Sequence, residues 1–384
     1  MQTIQSCIQD NRDELFVLYP YTKKYSKNFE HILSCRNSLG AFKTICPNCG
    51  VESVGLTSCD DRNCPICANR RNNIFVTKQT SKLLPTNYYH ITFTIPHILN
   101  NLTLNNQVIL YNILFESATI ALKQILSKKE YMGADKIGLV AILHTWGSNL
   151  TFHPHIHTCV AGCGLDKKGN LVLAKNKNYL CNANQLQQIY KGIFMKKLNE
   201  VIFKLNTSFD ELFNIKEFLI DLAKCDFIVN IRDTMNNPKS VINYFARYAN
   251  RVCISPSRIL SYDKKNNTIT FKYKDYKDNS KIKEMTLHSL EFLRRFSQHF
   301  LPKRFRKIRE YGFMSPNNEK NLISLATKFH VLLKIFKARK QPILCKYCNK
   351  ELNVIHIPIS EYESYISAPN LMKIGIDDYE KLII

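Results

Sequence analysis

From Tyr88 to Ile95 the chain alternates. Tyr89, Ile91, Phe93 and Ile95 share one face of a predicted strand, and His90, Thr92 and Thr94 share the other, with Pro96 ending it. Residues 136–146 (KIGLVAILHTW) and 151–161 (TFHPHIHTCVA) predict two more strands, and Gly147-Ser148-Asn149 between them predicts a hairpin. CDFIVNIRD at 225–233 alternates again, and strands around 257–262 and 268–274 flank the turn KKNN. Residues 1–34 read as helical, and apolar positions at helical spacing predict helices over 105–128 and 184–205. Pro238 opens a helix through KSVINYFARYANR, and a basic helical segment follows from about 289. No internal repeat is visible. Strands interleaved with helices, hairpins among them, predict an α+β fold on an antiparallel sheet rather than a doubly wound parallel one.

The 384 residues suit two to three domains. The pattern divides them into a helical start with a Cys-rich module (1–80), a main α+β domain (85–288), a basic helical extension (289–340) and a tail (341–384). Lys and Arg number 54 against 31 Asp and Glu, a net charge of +23, which points to a polyanion, nucleic acid first. A chain rich in Lys, Asn and Ile fits an AT-rich genome, which accounts for part of that excess but not for the arginine clusters. An apolar fraction of 45% excludes global disorder. No run of about 18 uncharged apolar residues predicts a membrane span. The start, MQTIQSCIQDNRDELF, lacks the basic cap and apolar core of a secretory signal. A cytoplasmic, nucleoid-associated protein is therefore expected, with its 14 cysteines reduced, and CxxC pairs there point to metal rather than disulfides.

Cys46-Pro-Asn-Cys49 and Cys64-Pro-Ile-Cys67 are two such pairs, 14 residues apart, and are expected to bind one tetrahedral Zn²⁺ through four thiolates. Cys59 and Cys35 are additional thiols that can replace a ligand or begin a second site. Arg62, Arg70 and Arg71 sit on the same module and can meet phosphates. Cys345-Lys-Tyr-Cys348 in the tail is half a site, with His356 the nearest other ligand type.

His153, His155 and His157 lie at i, i+2 and i+4, so a strand projects them from one face. Desolvated imidazoles need hydrogen bonds or a metal. The residues alone leave three readings open: an exposed hairpin, a His₃ zinc hydrolase, or another divalent-metal site. Tyr244 and Tyr248 are four apart and share a helix face, with Arg247 and Arg251 on the adjacent stripe. A phenol has a pKa near 10 and attacks only an electrophile activated by a metal in a positive field. A YxxxY pair alone reads as core aromatics; beside a histidine strand in a basic chain, the nucleophile reading is favoured. Residues 281–311 carry nine Lys or Arg against three Glu, and the pairs Arg294-Arg295 and Arg304/Arg306 suit phosphate clamping. Phe271 and Tyr273 can stack bases while Lys272 and Lys274 meet phosphates, or the first two belong to a packed face. No P-loop pattern appears.

Taken in order, CPNCG, SCDDRNCPIC, YYHITFTIPH, LHTWGSNLTFHPHIH, YFARYANRVCIS, FKYKDY and EFLRRFSQHFLPKRFRKIREYGF resemble the IS91-type rolling-circle transposases, a two-tyrosine class of HUH endonucleases, over about residues 30 to 315. The zinc loop departs from the family pattern by one missing Arg and one missing His. The resemblance implies that His155 and His157, with His153 as an adjoining third ligand, hold Mg²⁺ or Mn²⁺ on a phosphate. It implies Tyr244 and Tyr248 as nucleophiles that form a 5′-phosphotyrosine and release a 3′-OH. The implied partners are single-stranded DNA at element ends and target DNA, handled by a monomer or a homo-oligomer. Two rival expectations are a rolling-circle replication initiator with the same nicking site, and a non-catalytic zinc-dependent DNA-binding protein whose histidines and tyrosines share no geometry.

Overall fold

The computed structural model describes residues 2–67, 70–208, 213–235, 242, 245, 249, 251–276, 278–336 and 343–367. The expected α+β architecture on antiparallel sheets is what the chain adopts. Its centre is a six-stranded sheet of β3 (Tyr88–Thr94), β4 (Lys136–Trp146), β5 (Phe152–Leu165), β6 (Leu171–Leu173), β7 (Val229–Met235) and β11 (Ile308–Gly312). The order is β11-β4-β5-β3-β7, with β6 on β5 and every pairing antiparallel. The apolar set of the YYHITFTI alternation faces helices Gln107–Leu126 and Ala183–Val201: Tyr89, Ile91 and Phe93 pack there with Leu114, Tyr190 and Phe194. Gln107–Leu126 is long and apolar enough to cross a membrane, but most of it is buried in this core.

The opposite sheet face carries Tyr88, Ile142, Cys159 and Ala161, which pack with Phe75, Phe245, Ala249 and Leu325. His90, His144, His155 and His157 have the same parity on their strands and share that face. A third core joins helices Gln2–Leu18, Ser26–Ser34 and Ser289–Gln298 to a sheet of β8 (Ile259–Asp263), β9 (Thr268–Asp275) and β10 (Lys281–His288), ordered β10-β9-β8. Phe271 is fully buried there, 5.7 Å from Phe292, so it is a packing residue and not a base stacker.

Two stretches differ from expectation. Residues 289–340 are not one helical extension. The helix ends at Gln298, and Ile308–Gly312 then forms β11 on the outer side of β4. An unpaired β4 edge would leave backbone groups unsatisfied, and β11 covers them. Gly138 opposite Gly312 admits the Phe313 ring, which lies 2.3 Å from where a Cβ would stand. Glu310 on β11 takes Lys82 and Lys78 at 2.7 Å each, tying the strand to the helix Arg70–Thr80. The described part of the expected tail, residues 343–367, is also not separate. β12 (Asn353–Ile357) pairs with β1 (Ala41–Ile45), which pairs with β2 (Glu52–Leu56), so the Cys-rich module is completed by the far end of the chain.

Candidate functional site

β5 is the middle strand of the central sheet, and pairing fixes which side chains meet its histidines. His144 on β4 stands opposite His155, and Thr92 on β3 stands opposite His157. His144 Nδ1 lies 3.2 Å from His155 Nε2, which lies 3.1 Å from His157 Nε2. The outer nitrogens are held elsewhere. His155 Nδ1 is 2.7 Å from the His153 carbonyl, which can only accept, so that nitrogen carries the proton and Nε2 keeps its lone pair. His157 Nδ1 faces His90 Nε2 at 2.9 Å and Thr92 Oγ1 at 3.2 Å, which turns its Nε2 inward. Where the inward nitrogens are unprotonated, lone pairs about 3 Å apart repel unless a cation sits between them, and fixed outer nitrogens are how metal-binding imidazoles are oriented.

Burial lowers the pKa of each member: His155 falls to about 4, and His144 and His157 fall well below the ordinary value of 6.5. His90 falls to about 3, by burial first and then by Arg232. Neutral imidazoles are the form that binds a metal. The donor set fits a divalent ion.

The third member is therefore His144, not His153. The β4–β5 register shifts between His144 and Trp146, and His153 falls in that irregular stretch. Its ring packs on the His97 ring at 5.3 Å and the His155 ring at 5.1 Å, outside the three converging nitrogens, and its carbonyl accepts from His155 Nδ1. His144 is further held by Trp146, with ring centroids 4.0 Å apart. His90, Thr92 and Arg232, which stands opposite His90 on β7, also belong to the site and were not singled out as functional from the sequence. The polar face of β3 was the available signal for the first two.

Tyr244, Tyr248 and Arg247 lie outside the described residues. Their segment is represented by Ile242, Phe245 and Ala249, which are helical and buried. Phe245 meets the His90 ring edge-on at 5.1 Å, on the histidine face.

The thiols form two clusters, which corrects the expectation of a single zinc held by Cys46, Cys49, Cys64 and Cys67. Cys35, Cys59, Cys64 and Cys67 make one, and Cys46, Cys49, Cys345 and Cys348 the other. Hydrogen bonds from Cys35, Cys59 and Cys64 lower the Cys67 pKa. The division follows from strand pairing: β1–β12 carries Cys46 and Cys49 to Cys345 and Cys348, while Cys35, just after a helix, meets the second knuckle. Cys59 and Cys35, expected as additional thiols able to replace a ligand or begin a second site, are full members of the first cluster.

The transposase zinc-binding domain family matches residues 4–95, and the family described as "Putative transposase" matches residues 138–321. The chain is 31% identical over 288 residues to "Putative transposase y4qJ" of Sinorhizobium fredii, covering 73% of this chain and 72% of the relative. The chain belongs to the IS91-type transposase family. It is also 27% identical over 293 residues to the "Transposase for insertion sequence element IS801" of Pseudomonas savastanoi pv. phaseolicola, covering 74% of this chain and 68% of the relative. No solved structure matches it.

The arginines of the transposase separate by what they touch. The Arg62 guanidinium donates to the carbonyls of Phe305 and Pro302, a tie between the zinc module and the loop before β11. Arg294 and Arg295 both bind Glu291, at 2.6 Å through each Nε, and Arg295 also donates to the Asn149 carbonyl at 3.4 Å, so this pair is already engaged within the protein. The side chains of Arg70 and Arg71 lie outside the described residues. Arg251, Arg304 and Arg306 are exposed. Lys307 Nζ donates to the Arg251 carbonyl at 3.1 Å and lies 5.8 Å over the Trp146 ring, so positive charge flanks the side of the histidine cluster where Trp146 packs.

Proposed function

We propose that this transposase nicks and transfers single-stranded DNA through a tyrosine-linked intermediate, as rolling-circle transposition requires. The observation that carries the reading is the convergence of three neutral imidazole nitrogens on the sheet face against which Phe245 packs. Phe245 is flanked in sequence by the Tyr244 phenol and lies three residues before Tyr248. His144, His155 and His157 would hold Mg²⁺ or Mn²⁺, which when bound draws charge from a non-bridging phosphate oxygen and opens the phosphorus to in-line attack. His90 and Thr92 hold His157 in the ligating orientation. Arg232 on one side and Lys307 with Arg251 on the other supply the positive field that favours a phenolate and a bound phosphodiester.

In the chemistry proposed, the Tyr244 or Tyr248 oxygen bonds to phosphorus as the bond to the 3′-oxygen breaks. The phenol gives up its proton to solvent, the leaving 3′-oxygen takes one up to become a 3′-OH, and the phosphate stays on the protein as a 5′-phosphotyrosine. The ester conserves the energy of the broken bond, so a 3′-OH from a second strand can reverse the step without ATP. Two tyrosines permit two strands to be held in succession. Element ends and target DNA are the proposed substrates.

Incubation with a single-stranded element end and Mn²⁺ should give a covalent protein–DNA adduct. Single Tyr→Phe changes should leave one variant able to cleave a simple end but not to complete transfer, and Tyr244→Phe/Tyr248→Phe together should give no adduct. An adduct formed by the double variant would place the nucleophile elsewhere.

A further inference from the structure

We propose that Cys46, Cys49, Cys345 and Cys348 bind a second Zn²⁺ that clasps the two ends of the chain into one module. Both matched family regions stop short of residue 345, so the site is assigned by neither. Three observations carry it.

The first is distance. Cys46–Cys348 and Cys49–Cys345 Sγ separations are 3.4 and 3.5 Å, and Cys348–Cys49 is 3.8 Å. A covalent disulfide needs about 2.05 Å. The edge of a ZnS₄ tetrahedron with bonds of about 2.3 Å is about 3.8 Å. The buried Cys35 cluster has the same spacing, 3.4 and 3.7 Å from Cys67 to Cys35 and Cys59.

The second is backbone. The two CxxC segments, 296 residues apart, have one design. In the first, the Gly50 amide donates to the Cys46 carbonyl at 3.0 Å and the Cys46 amide to the Val51 carbonyl at 2.9 Å. In the second, the Asn349 amide donates to the Cys345 carbonyl at 2.9 Å and the Cys345 amide to the Lys350 carbonyl at 2.7 Å. The residue after each second cysteine is left-handed, Gly50 at φ 70 and Asn349 at φ 61. Gly and Asn are the residues that tolerate this conformation. Two matched knuckles present four sulfurs to one point.

The third is the surrounding structure. β12 lies on β1 over five residue pairs, Ala41↔Ile357 to Ile45↔Asn353. Beyond it, Tyr365 accepts from Lys43 Nζ at 2.8 Å. The strand pairing brings the half-site to its partner, and a four-thiolate zinc would fix the pairing in place. Cys49 is exposed, whereas Cys35, Cys64 and Cys67 are buried, so this second zinc is the one that exchanges with solvent first.

Elemental analysis of the purified full-length protein should give two zinc per chain, and the Cys345→Ser/Cys348→Ser variant should give one. Trypsin should then cut that variant at Lys346 or Lys350 while the rest of the chain resists. If the variant is insoluble, the wild type is treated with a chromophoric chelator. Zinc should leave in two phases, the faster one accompanied by C-terminal cleavage. One zinc per wild-type chain, iron in its place, two zinc in the double variant, or single-phase release without cleavage overturns the proposal. None of these readouts depends on DNA cleavage, so the clasp and the nicking reaction stand or fall separately.

Discussion

Replacing His144 by Ala, set against His153→Ala, tests the assignment of the metal centre. His144 contributes one of three converging nitrogens, 3.2 Å from His155 Nε2. Loss of a group that merely orients a ligand costs roughly 10- to 100-fold in metal affinity, and loss of a ligand should reach at least the upper end. His144→Ala should therefore weaken Mn²⁺ binding by about 100-fold or more, equivalent to about 2.7 kcal/mol. His153→Ala should weaken it by less than about 10-fold, because the bond that fixes His155 runs to the His153 backbone carbonyl, which alanine keeps. His144 also packs on Trp146, so His144→Ala should cost about 1–3 kcal/mol of stability, and thermal unfolding sets a temperature at which both variants are folded. Mn²⁺ titration followed by electron paramagnetic resonance reads affinity directly, and adduct formation reads the chemistry. Equal losses in the two variants, or unchanged binding in His144→Ala, would refute the cross-strand assignment.

DNA affinity should fall by at least about 10³ between 50 and 200 mM salt if six or more phosphates are engaged. Arg304→Ala and Arg306→Ala should each flatten the single-strand salt slope by about 0.7, whereas Arg294→Ala, already paired to Glu291, should not; equal effects at all three would sink the distinction. His299 is buried between Thr145 Oγ1 at 3.3 Å and the Leu150 carbonyl at 3.1 Å, and burial lowers its pKa to about 4. The unfolded chain binds this proton from about pH 6.5 downward while the folded chain does not, so the stability it contributes is full above pH 6.5 and is lost as pH falls toward 4. That loss is about 3 kcal/mol, and urea unfolding of His299→Gln should lack it; parallel curves for variant and wild type would count against the argument. Cys64→Ser opens the buried cluster, where a structural zinc contributes on the order of 10–16 kcal/mol, so soluble yield should collapse, while Cys225→Ser, outside both clusters, should leave it unchanged.

The alternation in YYHITFTI was enough to place His90, Thr92 and Thr94 on one face, and the structure sets Thr92 and Thr94 opposite His157 and His155. The 136–146 strand is found with the boundaries expected, and the 147–149 turn closes it onto β5. What the pattern could not supply was register. His144 becomes a ligand candidate only when it is opposite His155, and a slip of one residue would send it to the other face. The irregular pairing near Trp146 decides this, and it depends on how the 147–151 loop closes, with Leu150 at φ 65. Arg232 is legible as a site residue only after β7 is known to pair with β3. β10 and β11 were missed for a different reason. KIKEMTLH is partly exposed throughout, and Ile308–Gly312 is five residues inside a run of charge, so neither shows a strong apolar period.

The cysteines show where local reasoning fails on energetic grounds. Cys46, Cys49, Cys64 and Cys67 look like one site because a short loop closes cheaply. The actual partner of the first knuckle is 296 residues from it. Closing a loop about 20 times longer costs only about (3/2)RT ln 20, or about 2.7 kcal/mol of chain entropy. A four-thiolate zinc is worth on the order of 10–16 kcal/mol. Five β1–β12 residue pairs and the central sheet between the ends offset much of that entropy before any metal binds. Proximity in sequence is thus a weak guide to zinc ligands once a folded domain lies between the knuckles, and the matched turn chemistry of CPNCG and CKYCN is the better one. Gly50 and Asn349 follow the second cysteine in the same left-handed conformation. On that criterion alone the two matched knuckles pair with each other, and Cys64 and Cys67 are left to the thiols that lie nearest them in the fold, Cys35 and Cys59.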